Sequence, residues 1–308
     1  MREQSSIKPK HKTKKSAKSK PRYSVVIPAY NEAEYIAGTI TSLQQQDFPD
    51  NLEIIVVDNN CTDSTGAISR RLGARVINEP NPGVCWARQK GTLEAKGEII
   101  ISTDADTTFP AGWIAAIDQS FNNDARVVAV AGPCEYQNGP AWAKSYTMIL
   151  FGIVKLLHAI SGQTIYASAT NIAFKKSAWT EYDTRLTQGG DELDLLRRLR
   201  AKGRISFNSR NLTYTSSRRL SRGFLYNLVV TFFIYYIVEY NLSRRLKRPI
   251  FGNAPAFRDD QTAKGFGYAK AALLVLLIGL AFINLQEVHS LIASYSNILK
   301  SVYSLTIG

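Results

Sequence analysis

The chain is poor in the residues that build sites by themselves. Its three cysteines (Cys61, Cys85, Cys134) are widely spaced among 308 residues and form no CxxC pair. That excludes a disulfide framework and suits a reducing compartment. The three histidines (His11, His158, His289) are scattered, so a zinc site is not expected. Acidic residues are missing from 8–22 (KPKHKTKKSAKSKPR), where Lys and Arg crowd together. Such a stretch is too polar and self-repelling to bury a core, and 1–22 is expected to be a disordered basic tail. No apolar run follows it, so a secretory signal peptide is not expected. It also lacks interleaved aromatics, and no nucleic-acid module follows, so nucleic acid is not expected as a partner. A solubilising tail or an anchor to an anionic membrane surface fits it, each basic residue near such a surface contributing about 1 kcal/mol.

What is present is a globular chain with a formal net charge of +13 and 45% hydrophobic residues, long enough for one large core or two smaller units. Strands are expected at 23–27, stopping at Pro28, then at 52–57, 75–77, 98–103 and 126–132. Helices are expected at 34–45, 64–72 and 86–95. This alternation implies a mostly parallel central sheet flanked by helices on both faces. The pattern then changes to an amphipathic helix at 141–160, strands at 169–174 and 204–215, and between them a helix at 193–201. Gly189-Gly190-Asp191-Glu192 opens that helix and Gly203 ends it, with the acids where the helix dipole favours them.

The C-terminal third is greasy, at 224–240 and 271–285. A spanning helix needs about 20 apolar residues. Two spans in a hairpin would put Arg244, Arg245, Lys247 and Arg248 outside, against the positive-inside tendency. The expected arrangement is an interfacial or re-entrant helix at 224–241 and a short span or second interfacial helix at 269–288. Two buried core helices are the alternative. The expected organisation is therefore the tail, an α/β unit over 23–221, and a membrane-associated helical region over 222–308.

Asp104-Ala105-Asp106 directly follows the apolar run Ile99-Ile100-Ile101. Carboxylates at the C-terminal end of a buried strand project where open α/β sheets bind ligands. There they can hold Mg²⁺ or Mn²⁺ against a diphosphate, because these hard cations take one or two carboxylates and complete the shell with water and phosphate oxygens. Taken alone, the triplet reads equally well as a solvated turn.

Around it stand Pro28-Ala29-Tyr30-Asn31-Glu32 after the first strand, Asp58-Asn59-Asn60-Cys61-Thr62-Asp63 after the second, then Asn81-Pro82-Gly83 and Ala87-Arg88-Gln89-Lys90-Gly91. This order resembles the family 2 glycosyltransferases over residues 23 to about 220. Their text is a strand ending P-x-Y/F-N-E, a strand ending D-D/N-x-S/T-x-D, an A-R-N-x-G helix and the Asp-x-Asp. The resemblance implies the GT-A (Rossmann-like) fold, a nucleotide-sugar donor, UDP-linked by family frequency, and transfer with inversion. It implies that Pro28, Ala29, Tyr30 and Glu32 line the base and ribose pocket and that Asp58 contacts the base or ribose. Arg88 and Lys90 would face the sugar or diphosphate, and Asp104 and Asp106 would hold the metal. Arg218 and Arg219 sit in a text, Ser216-Ser217-Arg218-Arg219, similar to that of membrane-associated members. They would bind the donor diphosphate or a lipid phosphate, as guanidinium forks do. A lipid-linked or glycan acceptor follows, with the catalytic domain cytoplasmic at a membrane.

The chemistry also needs a carboxylate to take the acceptor proton. The family places this in E-D-x-D-L; the chain reads Asp191-Glu192-Leu193-Asp194-Leu195. The base is then Glu192, reaching from the family's position, or Asp191 after a small shift. Singly, the residues have bland readings: Asp58 and Asp63 as caps of the helix near Ser64, Tyr30 as core, Arg88 as a solvated helix residue. Two other classes stand beside the enzyme reading. A nucleotidyltransferase would carry a Gly-rich basic loop after the first strand, which Pro28 to Glu32 is not. A non-catalytic relative would have lost the carboxylates.

Overall fold

The computed structural model describes residues 20–48, 52–185 and 190–246. In chain order these form β1 (Tyr23–Ala29), α1 (Ile36–Gln44), β2 (Leu52–Asp58), α2 (Thr65–Arg71), β3 (Arg75–Asn78), α3 (Val84–Glu94) and β4 (Ile99–Ser102). There follow β5 (Thr107–Thr108), α4 (Trp113–Asn123), β6 (Val127–Ala131), β7 (Cys134–Gln137), α5 (Trp142–Ser161), β8 (Ile172–Lys175), α6 (Asp191–Arg200), β9 (Arg204–Phe207) and β10 (Thr213–Ser216). A helix of π geometry, Tyr226–Glu239, runs into α7 (Tyr240–Leu246).

The large sheet has seven strands in the order β3-β2-β1-β4-β8-β6-β9. All neighbours are parallel except β8, which is antiparallel to both β4 and β6. Its central strands carry the apolar runs 25–27, 54–57 and 99–101 because both faces are covered. Val25, Ile27, Val56 and Ile101 meet Ile36 and Ile40 of α1 and Trp113, Ile114 and Ile117 of α4. Their neighbours Val26, Ile55, Val57 and Ile100 point the other way, toward Ala87 of α3 and Leu195, Leu196 and Leu199 of α6.

The structure departs from the sequence reading in three places. First, β1 does not stop at Pro28. The Val26 carbonyl accepts from Thr103 N–H and the Ala29 carbonyl from Asn59 N–H, so even-numbered residues of β1 face β4 and odd-numbered ones face β2. Pairing with β4 ends at Val26. The N–H that Pro28 lacks would point where no strand remains, so the proline costs the sheet nothing. Second, 204–215 is two strands, not one. Asn208 breaks the run, its side chain accepting from Arg210 N–H at 3.2 Å, and the chain leaves the large sheet at β9 to enter a second one at β10. Third, α4, β5 and β7 were not anticipated.

That second sheet has the order β5-β10-β7. β5 begins one residue after Asp106, and β10 leads into a 3₁₀ turn over Ser217–Arg222, so the sheet sets Arg218 and Arg219 against the end of β4. The residues of 224–241 are helical, and 1–19, 269–288, Lys247 and Arg248 lie outside the described residues. Among the described residues one helix is long and apolar enough to cross a membrane by length and composition, and it is α5.

Helix α3 can cross β1 and β2 closely only because residue 91 is glycine. A Cβ there would stand 2.3 Å from Cγ1 of Val26 and 2.9 Å from Cγ2 of Val57, inside any tolerable contact. Gly91→Ala is expected to destabilise the fold by about 1–3 kcal/mol through overpacking. Urea unfolding checks this, and an unchanged midpoint would show that α3 can move off the sheet freely.

Candidate functional site

The C-terminal ends of β1, β2 and β4 open into a cleft of about 660 Å³, within the range of small-molecule sites. Its loops are tied to one another by side chains that read as ordinary turn residues. Asn31, at φ 52°, accepts from Thr62 N–H at 2.7 Å. Asp63 accepts from Ala33 N–H and from Thr65 N–H, each at 3.0 Å, so it caps α2 and clamps the β1 loop at once. The thiol of Cys61, pushed up to about 11 by burial, stays protonated and donates to the Ala29 carbonyl. Asn59 is buried. Its amide donates to the carbonyls of Glu79 (2.8 Å) and Asn81 (2.7 Å), and its oxygen accepts from Gly83 N–H (2.9 Å). It thereby fixes the loop into α3, whose N-cap Gly83 has φ 125°, a conformation that favours glycine.

Of the residues singled out in the sequence, Pro28, Ala29, Tyr30, Glu32, Asp104, Asp106, Arg218 and Arg219 line this cleft. Asp58 does not. Its carboxylate turns into its own loop and accepts from Cys61 N–H at 2.9 Å, which is neither a contact to the base or ribose pocket nor a cap of α2. Lys90 is also turned away, along α3 toward Glu94 at 3.7 Å. The cleft gains walls that had no assigned role: Asn59, Asn60, Pro80, Pro82, Gly83 and Val84. Their signal in the sequence was the Asn-Pro-Gly punctuation before α3, which marks a turn without saying that it faces a ligand.

Arg88 is not a solvated helix residue. It is 3% exposed and bridges two acids, donating to Asp104 Oδ1 at 2.7 Å and, through its other terminal nitrogen, to Asp191 Oδ2. Burial works against its charge, and Asp191 and Asp104 more than offset that, so the guanidinium is held ionised. Burial raises the Asp104 carboxyl, with Arg88 and Arg219 opposing the rise and Asp106 and Asp191 adding to it. Asp106 is engaged on both oxygens, by Thr215 Oγ1 at 3.2 Å and by Arg218 at 2.7 Å. Arg218 also reaches Glu32 at 2.9 Å and lies over the Tyr35 ring at 4.2 Å.

A smaller cavity of about 70 Å³ lies behind Asp104. Asp104 and Arg219 line both spaces. Glu192 enters the inner one, with Tyr136, Tyr146 and Tyr166 among the other walls. The two acids at the start of α6 thus point differently, Asp191 to Arg88 and Glu192 to the cavity. Among the described residues no three His, Cys, Asp or Glu side chains converge to hold a metal. The donor set at the mouth is two carboxylates one residue apart, with arginines beside them. That set fits a hard cation that completes its shell with water and phosphate, and it lacks the histidine and cysteine ligands on which zinc sites are mostly built.

A mostly parallel sheet with an Asp-x-Asp at a central strand end, backed by a small second sheet, defines a glycosyltransferase domain of the GT-A type. Residues 24–182, just over half of the chain, match the family described as glycosyl transferase family 2, and the chain belongs to that family. An uncharacterized glycosyltransferase of Mycobacterium tuberculosis is 34% identical over 104 residues, 34% of this chain and 45% of the relative. Glycosyltransferase AglE of Haloferax volcanii is 27% identical over 183 residues, 56% and 59% of the two chains. The chain spans about half the length of these curated relatives. Among solved structures, a mannosyltransferase from Pyrobaculum calidifontis in complex with GDP-Man and Mn²⁺ has a TM-score of 0.53 or better, at 0.59, with 20% identity over 91% of this chain and 81% of that one. Staphylococcus aureus TarS in complex with UDP gives 0.53 with 20% identity over 63% and 60%. At that identity the likeness is one of fold.

Glu192 is 2% exposed and its Oε2 has no hydrogen-bond partner among the described residues. Burial first, then the charge of Asp191, lifts its carboxyl well above the usual glutamate range. The native state therefore keeps this proton to a higher pH than the unfolded chain does. From the ordinary glutamate value up to the raised one, stability falls as pH rises. Glu192→Gln removes the group, so urea unfolding of the variant between about pH 5 and pH 8 should show a shallower fall than the parent. Parallel pH profiles would contradict the burial of an ionisable carboxyl here.

Proposed function

We propose that this chain is a metal-dependent, inverting glycosyltransferase. It moves a sugar from a nucleotide-sugar, a UDP-sugar foremost, to a lipid-linked or glycan acceptor in cell-envelope or polysaccharide assembly. The domain would work on the cytoplasmic side of a membrane. The observation that carries this reading is the single buried bridge through Arg88, which ties the cleft carboxylate Asp104 to the start of α6, where Glu192 enters the adjoining cavity.

In this reading Pro28, Ala29, Tyr30 and Glu32 hold the nucleoside, with Asn59 and Asn60 as further walls. Asp104 and Asp106 hold Mg²⁺ or Mn²⁺, which when bound neutralises charge on the diphosphate. Arg218 and Arg219 face the same phosphates as bidentate donors. Arg88 acts by position, keeping Asp104 and α6 in register. Glu192 is the base, since its carboxyl enters the cavity whose wall it shares with Asp104 and placement is the first requirement of a base. The acceptor hydroxyl attacks the anomeric carbon as Glu192 takes its proton. The bond from that carbon to the diphosphate oxygen breaks on the opposite face, and the nucleoside diphosphate leaves. Asp191 is a poor candidate for that role because Arg88 occupies its carboxylate.

Support from neighbours includes both uridine and guanosine chemistry, TarS holding UDP and the mannosyltransferase GDP-Man. The test therefore compares UDP, GDP, dTDP and CDP, with and without Mn²⁺, by thermal unfolding. Ligand at about 100 times its Kd should add roughly 2.7 kcal/mol of stability. One nucleotide is expected to stabilise the protein only with Mn²⁺, and Asp106→Asn should abolish that metal-dependent part. With the donor so found, Glu192→Gln should lower turnover by about 10²–10⁴-fold while the nucleotide shift persists. A folded protein that responds to none of the four would sink the reading.

A further inference from the structure

Helix α5 is two-faced, and its outer face has no role in the reading above. Toward the protein it buries Ala143, Thr147, Phe151 and Val154. Toward solvent it presents Met148, Ile149, Ile153, Leu156 and Ile160, each at least half exposed (67, 61, 51, 59 and 50%). At 100° per residue these five fall on one stripe. Lys144 and Lys155, both exposed, stand eleven residues apart and so on one line, at the border of that stripe. At the N-terminal end, Trp142 and Tyr146 both meet the Phe224 ring, at 5.4 and 6.2 Å. This joins α5 to the segment where Leu225 is 72% exposed.

We propose that the outer face of α5 docks on an anionic lipid bilayer, lying in the headgroup layer with its apolar stripe inward. The charge argues for that occupant: an apolar stripe bordered by lysines and ended by aromatics is the pattern of helices that lie in a membrane interface. Spanning is excluded by the inner face, which is sealed to the protein. The proposal rests on the glycosyltransferase reading and gives it a geometry. Tyr146, Thr147, Leu150 and Phe151 of the same helix line the inner cavity that Glu192 enters. One helix diameter, about 10 Å, then separates that cavity from the lipid, which suits an acceptor carried on a membrane lipid.

The test uses the full chain with Ile153→Cys carrying an environment-sensitive fluorophore; Cys61, Cys85 and Cys134 are half-buried or buried. Vesicles of phosphatidylglycerol and phosphatidylcholine are compared with phosphatidylcholine alone. The label should shift to the blue on the anionic vesicles. The pair Ile153→Glu and Leu156→Glu should cut the vesicle-bound fraction at least tenfold, with the melting temperature unchanged in the absence of lipid. Each of Lys144→Gln and Lys155→Gln should weaken binding about fivefold. A label that stays in water on vesicles that do bind the protein would overturn the proposal, assigning the attachment to the basic tail. A large drop in melting temperature for the glutamate pair without lipid would also overturn it, because the face would then be covered by residues 247–308. So would a dimer that the pair dissolves. Retention of the nucleotide-induced thermal shift in each case separates failure of docking from failure of the enzyme reading.

Discussion

One buried guanidinium holds the working parts of this domain together. Arg88 reaches from α3 to Asp104 at the end of β4 and to Asp191 at the start of α6, and so joins three elements through one side chain. Removing one partner of such a buried pair is far more damaging than the pair is stabilising, because the remaining charges are left without solvent or counter-charge. The arrangement is therefore better understood as a device for position than as a source of stability. It fixes the carboxylate at the cleft and the first turn of α6 in a single frame.

The same bridge accounts for the unusual order of acids at 191 and 192. Position 191 faces Arg88, so the shorter aspartate fits between helix and guanidinium. Position 192 faces the inner cavity, where the extra methylene of glutamate carries a carboxyl to the wall shared with Asp104 and Arg219. An Asp-Glu order is thus compatible with a reactive carboxyl in the cavity, and the environment of that carboxyl is set by burial and by its neighbour rather than by solvent.

Much of the large sheet was legible because its signal is local. Apolar runs such as 54–57 and 99–101 can satisfy both faces of a covered sheet and little else. The small sheet was not legible. β5 is two residues long, β7 only four, and β10 was hidden in a run that looked continuous with β9; each is specified by partners distant in sequence. The site followed the same division. Residues directly at strand ends, such as Pro28, Glu32, Asp104 and Asp106, were brought to the cleft. Lys90 was not, since helical phase turns it from its neighbour Arg88 two residues away. The polar ties of Asn59 could not be read at all, because its three partners lie 20 to 24 residues onward.

Arg218 gives the cleft a further property. With its guanidinium bonded to Asp106 and Glu32 and resting on Tyr35, the cleft is not a bare acidic nest. It carries an internal counter-ion. A diphosphate arriving with its own cation would enter by exchange: the arginine passes from carboxylate to phosphate as the cation takes its place. On the proposed reading, a cation arriving alone would have nothing to offer the displaced guanidinium.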